Sequence, residues 1–380
     1  VEEDQGKRKH MLPYLNPSMS QVRAYELPEI HGPQVIRLHQ NEGYFWGKEH
    51  WDVSHTDATT ESSPLKDMSV YPSLKLEKLR VTLENYYDLP TQCLEITSGS
   101  SQALSLLAMM CFGPGKRVAI MDPTFSLYRE LVQIYGAKAV DIPLNPSMEL
   151  SPDALFNPAV LSAHVVILCS PNNPTGTTVP LEWMERLLVE NPNRLLAVDE
   201  AYIEFQEGYD LLKPKETPSA MSLLKKHSNL LVLRTLSKAW CCANGRIGIA
   251  VGNERFIALL AALKPPYSIS SHSEWAAQRV LTDGFDTVLK QVHQIQKSRR
   301  ELEEWISQHS DVYFYPSQAN FVTFISPRNE KLFRFLTQNQ ILVRYFGSKG
   351  PMENHIRVSV AEPWKMERFI QKCKEFWNDN

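Results

Sequence analysis

The chain has 380 residues, 43% of them apolar and 22% charged, enough to bury a large core and more than one compact domain usually holds. Its 40 Lys and Arg against 43 Asp and Glu leave a net charge of −3, so there is no basic excess to attract nucleic acid or acidic lipid. The longest nearly unbroken apolar stretch, Leu104 to Phe112, falls far short of the ~18 to 20 residues that span a bilayer, which excludes a helical integral membrane protein.

In chain order, residues 1–40 read as an N-terminal arm that forms part of a smaller domain. The first residues, Val1-Glu2-Glu3-Asp4-Gln5, lack the basic segment followed by an apolar one that a secretory signal requires. Residues 48–68 are polar, with Ser and Thr gathered at 59–63, and read as a surface loop or lid.

From about residue 92 to 263, short β-rich runs alternate with helical patterns, which predicts a mostly parallel sheet covered by helices. The predicted strands are 93–97, 117–121, 138–142, 165–169, 195–198, 230–234 and 247–251; the predicted helices are 101–112, 125–135, 181–190 and 254–263. The fold class is therefore α/β, with a large domain over 41–265 built on a seven-stranded sheet. At Lys264-Pro265-Pro266 the rhythm changes. Residues 266–380 read as a smaller α+β domain: a long helical stretch over 274–307, strands at 312–315, 320–325, 341–344 and 356–360, and a terminal helix over 364–377.

The six cysteines, at 93, 111, 169, 241, 242 and 373, fit neither a disulfide framework nor a CxxC metal site. They read as free thiols of a reducing compartment, which points to the cytoplasm. Cys111 and Cys169 lie in apolar runs and are expected to be buried. The eleven histidines form no HExxH-like cluster, so no metal is expected; the glycines match neither GxGxxG nor the phosphate-loop spacing.

Three segments stand out. Ser170-Pro171-Asn172-Asn173-Pro174-Thr175-Gly176 follows the strand at 165–169, where open α/β sheets place ligands, although a tight turn accounts for it equally well. Asp199, in Val198-Asp199-Glu200-Ala201-Tyr202, ends an apolar strand and needs a cationic or hydrogen-bonding partner; a helix N-cap is the plainer alternative. Lys238, in Thr235-Leu236-Ser237-Lys238-Ala239-Trp240, follows the next strand, with Arg246 eight residues on. Read jointly, successive strand ends bring an amide, a carboxylate, a phenol, an amine and an anion site of Ser237 and Arg246 to one cleft. That set matches the needs of pyridoxal phosphate.

On these residues the chain resembles the fold-type-I pyridoxal-phosphate-dependent aminotransferases of class I/II, and among them it is most similar to the histidinol-phosphate aminotransferases. The resemblance runs from Asn41-Glu42 and Tyr71-Pro72 through the three motifs to Arg344 and Arg357. It implies that Lys238 carries pyridoxal 5'-phosphate and moves the substrate proton, that Asp199 pairs with the ring nitrogen, and that Asn173 and Tyr202 bind the phenolic oxygen. It places Phe125 against the ring. Ser100 and Ser101, between a strand and a helix N-terminus, would face the phosphate together with Ser237, Arg246 and a partner subunit's Tyr71, implying a homodimer with a shared site. For substrate it implies Arg357, Arg344, Tyr44 and Asn173. Guanidinium forks suit carboxylate and phosphate alike.

The chain departs from the family pattern at Ser101-Gln102, where an acidic pair is usual, and at Trp240-Cys241-Cys242-Ala243-Asn244-Gly245, which replaces a glycine-rich run. The segment between Gly47 and Tyr71 also differs. The expected reaction is transfer of an amino group, with glutamate as donor and a keto acceptor such as imidazole-acetol phosphate. A decarboxylase of the threonine-phosphate type, a specialised enzyme of secondary metabolism on the same fold, and a non-catalytic binding module are the alternatives.

Overall fold

The structure, a computed structural model, describes residues 36–38 and 72–378. Tyr44, Tyr71 and the segment 48–68 lie outside the described residues.

The larger sheet has seven strands in the order β2 (Leu94–Ser98), β8 (Ile247–Gly252), β7 (Leu230–Thr235), β6 (Leu195–Asp199), β5 (Val165–Cys169), β3 (Arg117–Asp122) and β4 (Lys138–Pro143). Each begins and ends within one residue of its predicted span. β8 runs antiparallel to β2 and β7, and the others pair in parallel. β5, β7 and β8 are buried along their whole length, as expected of strands covered on both faces. Alternate residues feed two cores. Val118, Ile120, Val165, Ile167, Leu231 and Leu233 face one layer, and Ala119, Val166, Leu168, Leu196, Val198 and Val232 the other.

The second sheet has the order β1 (Ile36–Leu38), β11 (Ile341–Tyr345), β12 (His355–Ser359), β10 (Phe321–Ile325) and β9 (Tyr313–Tyr315). It is antiparallel except that β1 joins β11 in parallel, pairing Ile36 with Ile341 and Leu38 with Val343. Helices Phe285–Ser307 and Asn329–Gln338 pack against it, and helix Pro363–Asn378 packs on these two helices.

The long helix expected over 274–307 is instead two, Ser271–Leu281 and Phe285–Ser307. The chain breaks at Thr282-Asp283-Gly284, where the Gly284 N–H bonds back to the Arg279 carbonyl at 2.9 Å and Asp286 opens the new helix. Helices Glu77–Tyr87 and Asn329–Gln338 were not expected. Cys169 is buried as expected, whereas Cys111, on the last turn of its helix, is only half-buried; none of the six cysteines is in a disulfide.

Candidate active site

β8 is the strand that runs against the rest, so Arg246, just before it, comes to the same edge of the sheet as the carboxyl ends of β5, β6 and β7. A cleft of about 810 Å³ opens at this edge. Ser100, Ser101, Phe125, Asn173, Asp199, Tyr202, Ser237, Lys238 and Arg246 line it from the larger sheet, and Arg344 and Arg357 from the smaller. Every predicted site residue that is described is therefore brought to one cavity.

The Asn172-Asn173 turn is held from several sides. Asn172 is fully buried: its side-chain nitrogen donates to the Pro123 carbonyl at 3.1 Å, and its oxygen accepts from Thr124 at 2.7 Å. Thr323 of β10 donates to the Pro174 carbonyl, and the Gln318 N–H to the Gly176 carbonyl at 2.8 Å. The loop thus ties the two sheets together and leaves Asn173 facing the cleft. Asn173 Nδ2 donates to the Tyr202 hydroxyl at 3.3 Å, and its Oδ1 accepts from Nη1 of Arg357. An amide bridges a phenol and a guanidinium.

Asp199 is 4% exposed. Tyr128 donates to its Oδ2 at 2.8 Å, and the Ala201 N–H to its Oδ1 at 3.1 Å. Burial pushes the carboxyl up to about 6, against the pull of the Tyr128 hydrogen bond and, more weakly, of Lys238. A buried carboxylate of this kind gains from a cation placed beside it. Nζ of Lys238 lies 5.7 Å from the centroid of the Tyr202 ring.

The other end of the cleft is built for an anion. Helix Gly99–Cys111 begins with no side-chain cap, which leaves first-turn N–H groups available. Gly99 has φ +73°, and a Cβ there would collide with Nη2 of Arg246. The absence of a side chain lets the guanidinium lie against the helix start. Ser237 adds a hydroxyl, held near Thr235 Oγ1 at 2.9 Å.

Across the cleft, Arg344 and Arg357 are directly opposed in the β11–β12 register, so both side chains leave one face of the sheet. Arg357 stands 5.2 Å from the Phe321 ring centroid, and Arg344 5.6 Å from that of Phe346. The cleft is lined by six cationic side chains against the three carboxylates Asp122, Glu130 and Asp199, in a chain of net charge −3. It favours anionic ligands.

Sequence reasoning missed Tyr128, Phe346, Lys349 and Met352. Tyr128 lies on the first turn of helix Ser126–Ile134, three residues after Phe125, which precedes the helix, and in the sequence it reads as a plain core aromatic. The other three lie on the β11–β12 connection, which no motif marks.

Residues 35–372 match the family described as aminotransferase class I and II, and the chain belongs to that family. A histidinol-phosphate aminotransferase of Chlorobium phaeovibrioides is 31% identical over 370 residues, 96% of this chain and 97% of that protein. Among solved structures, the histidinol-phosphate aminotransferase of Sinorhizobium meliloti in complex with pyridoxal-5'-phosphate matches with a TM-score of 0.79 at 21% identity, covering 94% of this chain and 96% of that one. The L-threonine-O-3-phosphate decarboxylase of Porphyromonas gingivalis matches with a TM-score of 0.72 at 20% identity, covering 90% and 100%. The family's cofactor is pyridoxal 5'-phosphate, and the cleft fits it: a lysine amine, a buried carboxylate that gains from a cation, and an uncapped helix start with an arginine against it.

Proposed function

We propose that this aminotransferase works on phosphorylated substrates of the histidinol-phosphate type, with glutamate as amino donor and imidazole-acetol phosphate as keto acceptor. The observation that carries the proposal is the pairing of Arg344 with Arg357 on β11 and β12, two guanidinium forks on the wall of the cleft that also holds Lys238 and Asp199. A guanidinium fork binds carboxylate and phosphate alike, so the same pair can receive the carboxylates of glutamate in one half-reaction and the phosphate of histidinol phosphate or imidazole-acetol phosphate in the other. The relatedness to histidinol-phosphate aminotransferases over nearly the whole chain supports the same choice.

When bound, the cofactor supplies an aldehyde carbon that accepts nitrogen and a ring that draws electrons from the substrate α-carbon. Lys238 Nζ would hold the cofactor through its aldehyde and would serve as the base and acid for the substrate α-proton. Asp199 would pair with the ring nitrogen and keep it protonated. Asn173 and Tyr202 would hydrogen-bond the phenolic oxygen, and Phe125 would pack on the ring. Ser100, Ser101, Ser237 and Arg246 would hold the phosphate, with Tyr71 from a second subunit, in a homodimer with a shared site. Arg357, Arg344, Asn173 and Tyr44 receive the substrate. The domains are taken as an arm over 1–40, a large domain over 41–265 and a small one over 266–380, supported by the membership of β2 to β8 in one sheet and of β1 and β9 to β12 in the other. A cytoplasmic location is taken from the number and spacing of the six cysteines, which fit no disulfide framework.

Histidinol phosphate, aromatic amino acids and phosphothreonine, each offered with 2-oxoglutarate, test the proposal. Faster amino transfer from histidinol phosphate than from the aromatic amino acids, with no carbon dioxide evolved from phosphothreonine, is expected. Carbon dioxide release without amino transfer overturns it in favour of the decarboxylase, whose fold the chain also shares.

A further inference from the structure

Asp199 is held by a side chain outside all three motifs. Tyr128, on helix Ser126–Ile134, is fully buried, and its hydroxyl donates to Asp199 Oδ2 at 2.8 Å. The Ala201 N–H takes Oδ1 at 3.1 Å. With both oxygens engaged from different elements, one from β6's own continuation and one from the helix after β3, the carboxylate cannot turn about its last bond without losing a buried hydrogen bond. The Tyr128 ring is itself fixed, edge-on to Phe125 with centroids 5.6 Å apart.

We propose that Tyr128 is a positioning residue for the reaction: its hydroxyl, donating to Asp199 Oδ2, fixes the carboxylate in the rotamer and charged form that the cofactor's ring nitrogen requires. This rests on the role given above to Asp199. The chemistry favours it on three grounds. A neutral O–H donating to an anionic oxygen makes one of the stronger hydrogen bonds available in a protein interior. Burial and the neighbouring Asp199 raise the Tyr128 phenol well above its usual range, so it remains a donor at every working pH. The same hydrogen bond is the largest effect opposing the desolvation of Asp199, so its loss makes the charged carboxylate harder to keep.

The test compares the wild type with Tyr128→Phe, Asp199→Asn and the double variant. Two quantities are read: the Kd for pyridoxal phosphate added to the cofactor-free protein, and the pH midpoint of the absorbance of the bound cofactor. Tyr128→Phe should weaken cofactor binding by about ten- to a hundredfold, the range for one hydrogen bond to a charged group, and should move the midpoint in the same direction as Asp199→Asn. The double variant should be no worse than Asp199→Asn alone. Wild-type values for Tyr128→Phe beside an impaired Asp199→Asn overturn the positioning role and leave that of Asp199 intact; an unimpaired Asp199→Asn overturns the role of Asp199 itself. A Tyr128→Phe loss that persists in full in the Asp199→Asn background means that Tyr128 only packs. Should Tyr128→Phe fail to fold, 3-fluorotyrosine placed at 128 keeps the shape with a more acidic hydroxyl, and the midpoint should move opposite to Asp199→Asn; an unmoved midpoint overturns the proposal.

Discussion

Nε of Arg234 lies 2.9 Å from Oε2 of Glu200, with both side chains almost wholly closed to solvent. Glu200 follows Asp199 directly, so the pair anchors the turn that presents Asp199 and Tyr202 to the cleft. The same guanidinium reaches Glu204 at 3.3 Å, the Tyr209 hydroxyl at 3.2 Å and Ser219 Oγ at 3.0 Å. Glu200 in turn accepts from the Ala220 N–H at 2.7 Å and from Ser219 at 2.8 Å. One cation serves two buried carboxylates.

Replacing Arg234 with Met therefore strands Glu200 and Glu204 without a counter-charge. The loss of stability should be about 3 to 5 kcal/mol, the usual cost of breaking a buried pair from one side. Urea unfolding of the cofactor-free protein measures it. A loss under about 1 kcal/mol, the worth of an exposed ion pair, contradicts the role given to the network.

The Asp199 carboxyl gives a signed pH dependence. Its value in the fold is about 6 against an ordinary 3.8, so between these the folded protein holds a proton that the unfolded chain has released. Stability then falls as pH rises through this window, and the cost is fully present above pH 6. Asn at 199 does not titrate. The stability of cofactor-free Asp199→Asn relative to wild type should rise by roughly 3 kcal/mol between pH 3.5 and pH 7.5. Urea unfolding at the two pH values provides the comparison, and a pH-independent difference contradicts the prediction.

Gly99→Ala tests the anion cradle. The left-handed φ of +73° strains any side chain, and the added Cβ pushes Arg246 off the helix start. Affinity for pyridoxal phosphate should fall by about tenfold or more, equivalent to one charged hydrogen bond, while affinity for pyridoxal, which lacks the phosphate, should stay the same. Equal losses for the two ligands in a direct titration contradict a phosphate-specific role.

The strands were legible in the sequence because short apolar runs such as 165–169 and 230–234, set between turn residues and helical patterns, mark strands covered on both faces. The same holds for the motif residues, since chemistry placed at successive strand ends must converge at one edge. Contacts made across long stretches of chain were not legible. Residues 1–40 were read as an arm of the smaller domain, but not the strand within them, β1, which pairs with β11 some three hundred residues away. Arg234 reads as an interruption of an apolar strand until Glu200 and Glu204 are found beside it. Tyr128 looks like any core aromatic on an amphipathic helix, because a hydroxyl's partner cannot be read from periodicity. The break at Gly284 was overlooked because apolar spacing continues on both sides of it.

Borohydride treatment of the protein loaded with pyridoxal phosphate, followed by peptide mass mapping, asks most directly which amine carries the cofactor. The mass of the reduced pyridoxyl phosphate group should appear on the peptide containing Lys238 and on no other, and Lys238→Ala should abolish both the label and the cofactor's absorbance. A label on a different lysine, or an unchanged spectrum in Lys238→Ala, contradicts the assignment of this cleft.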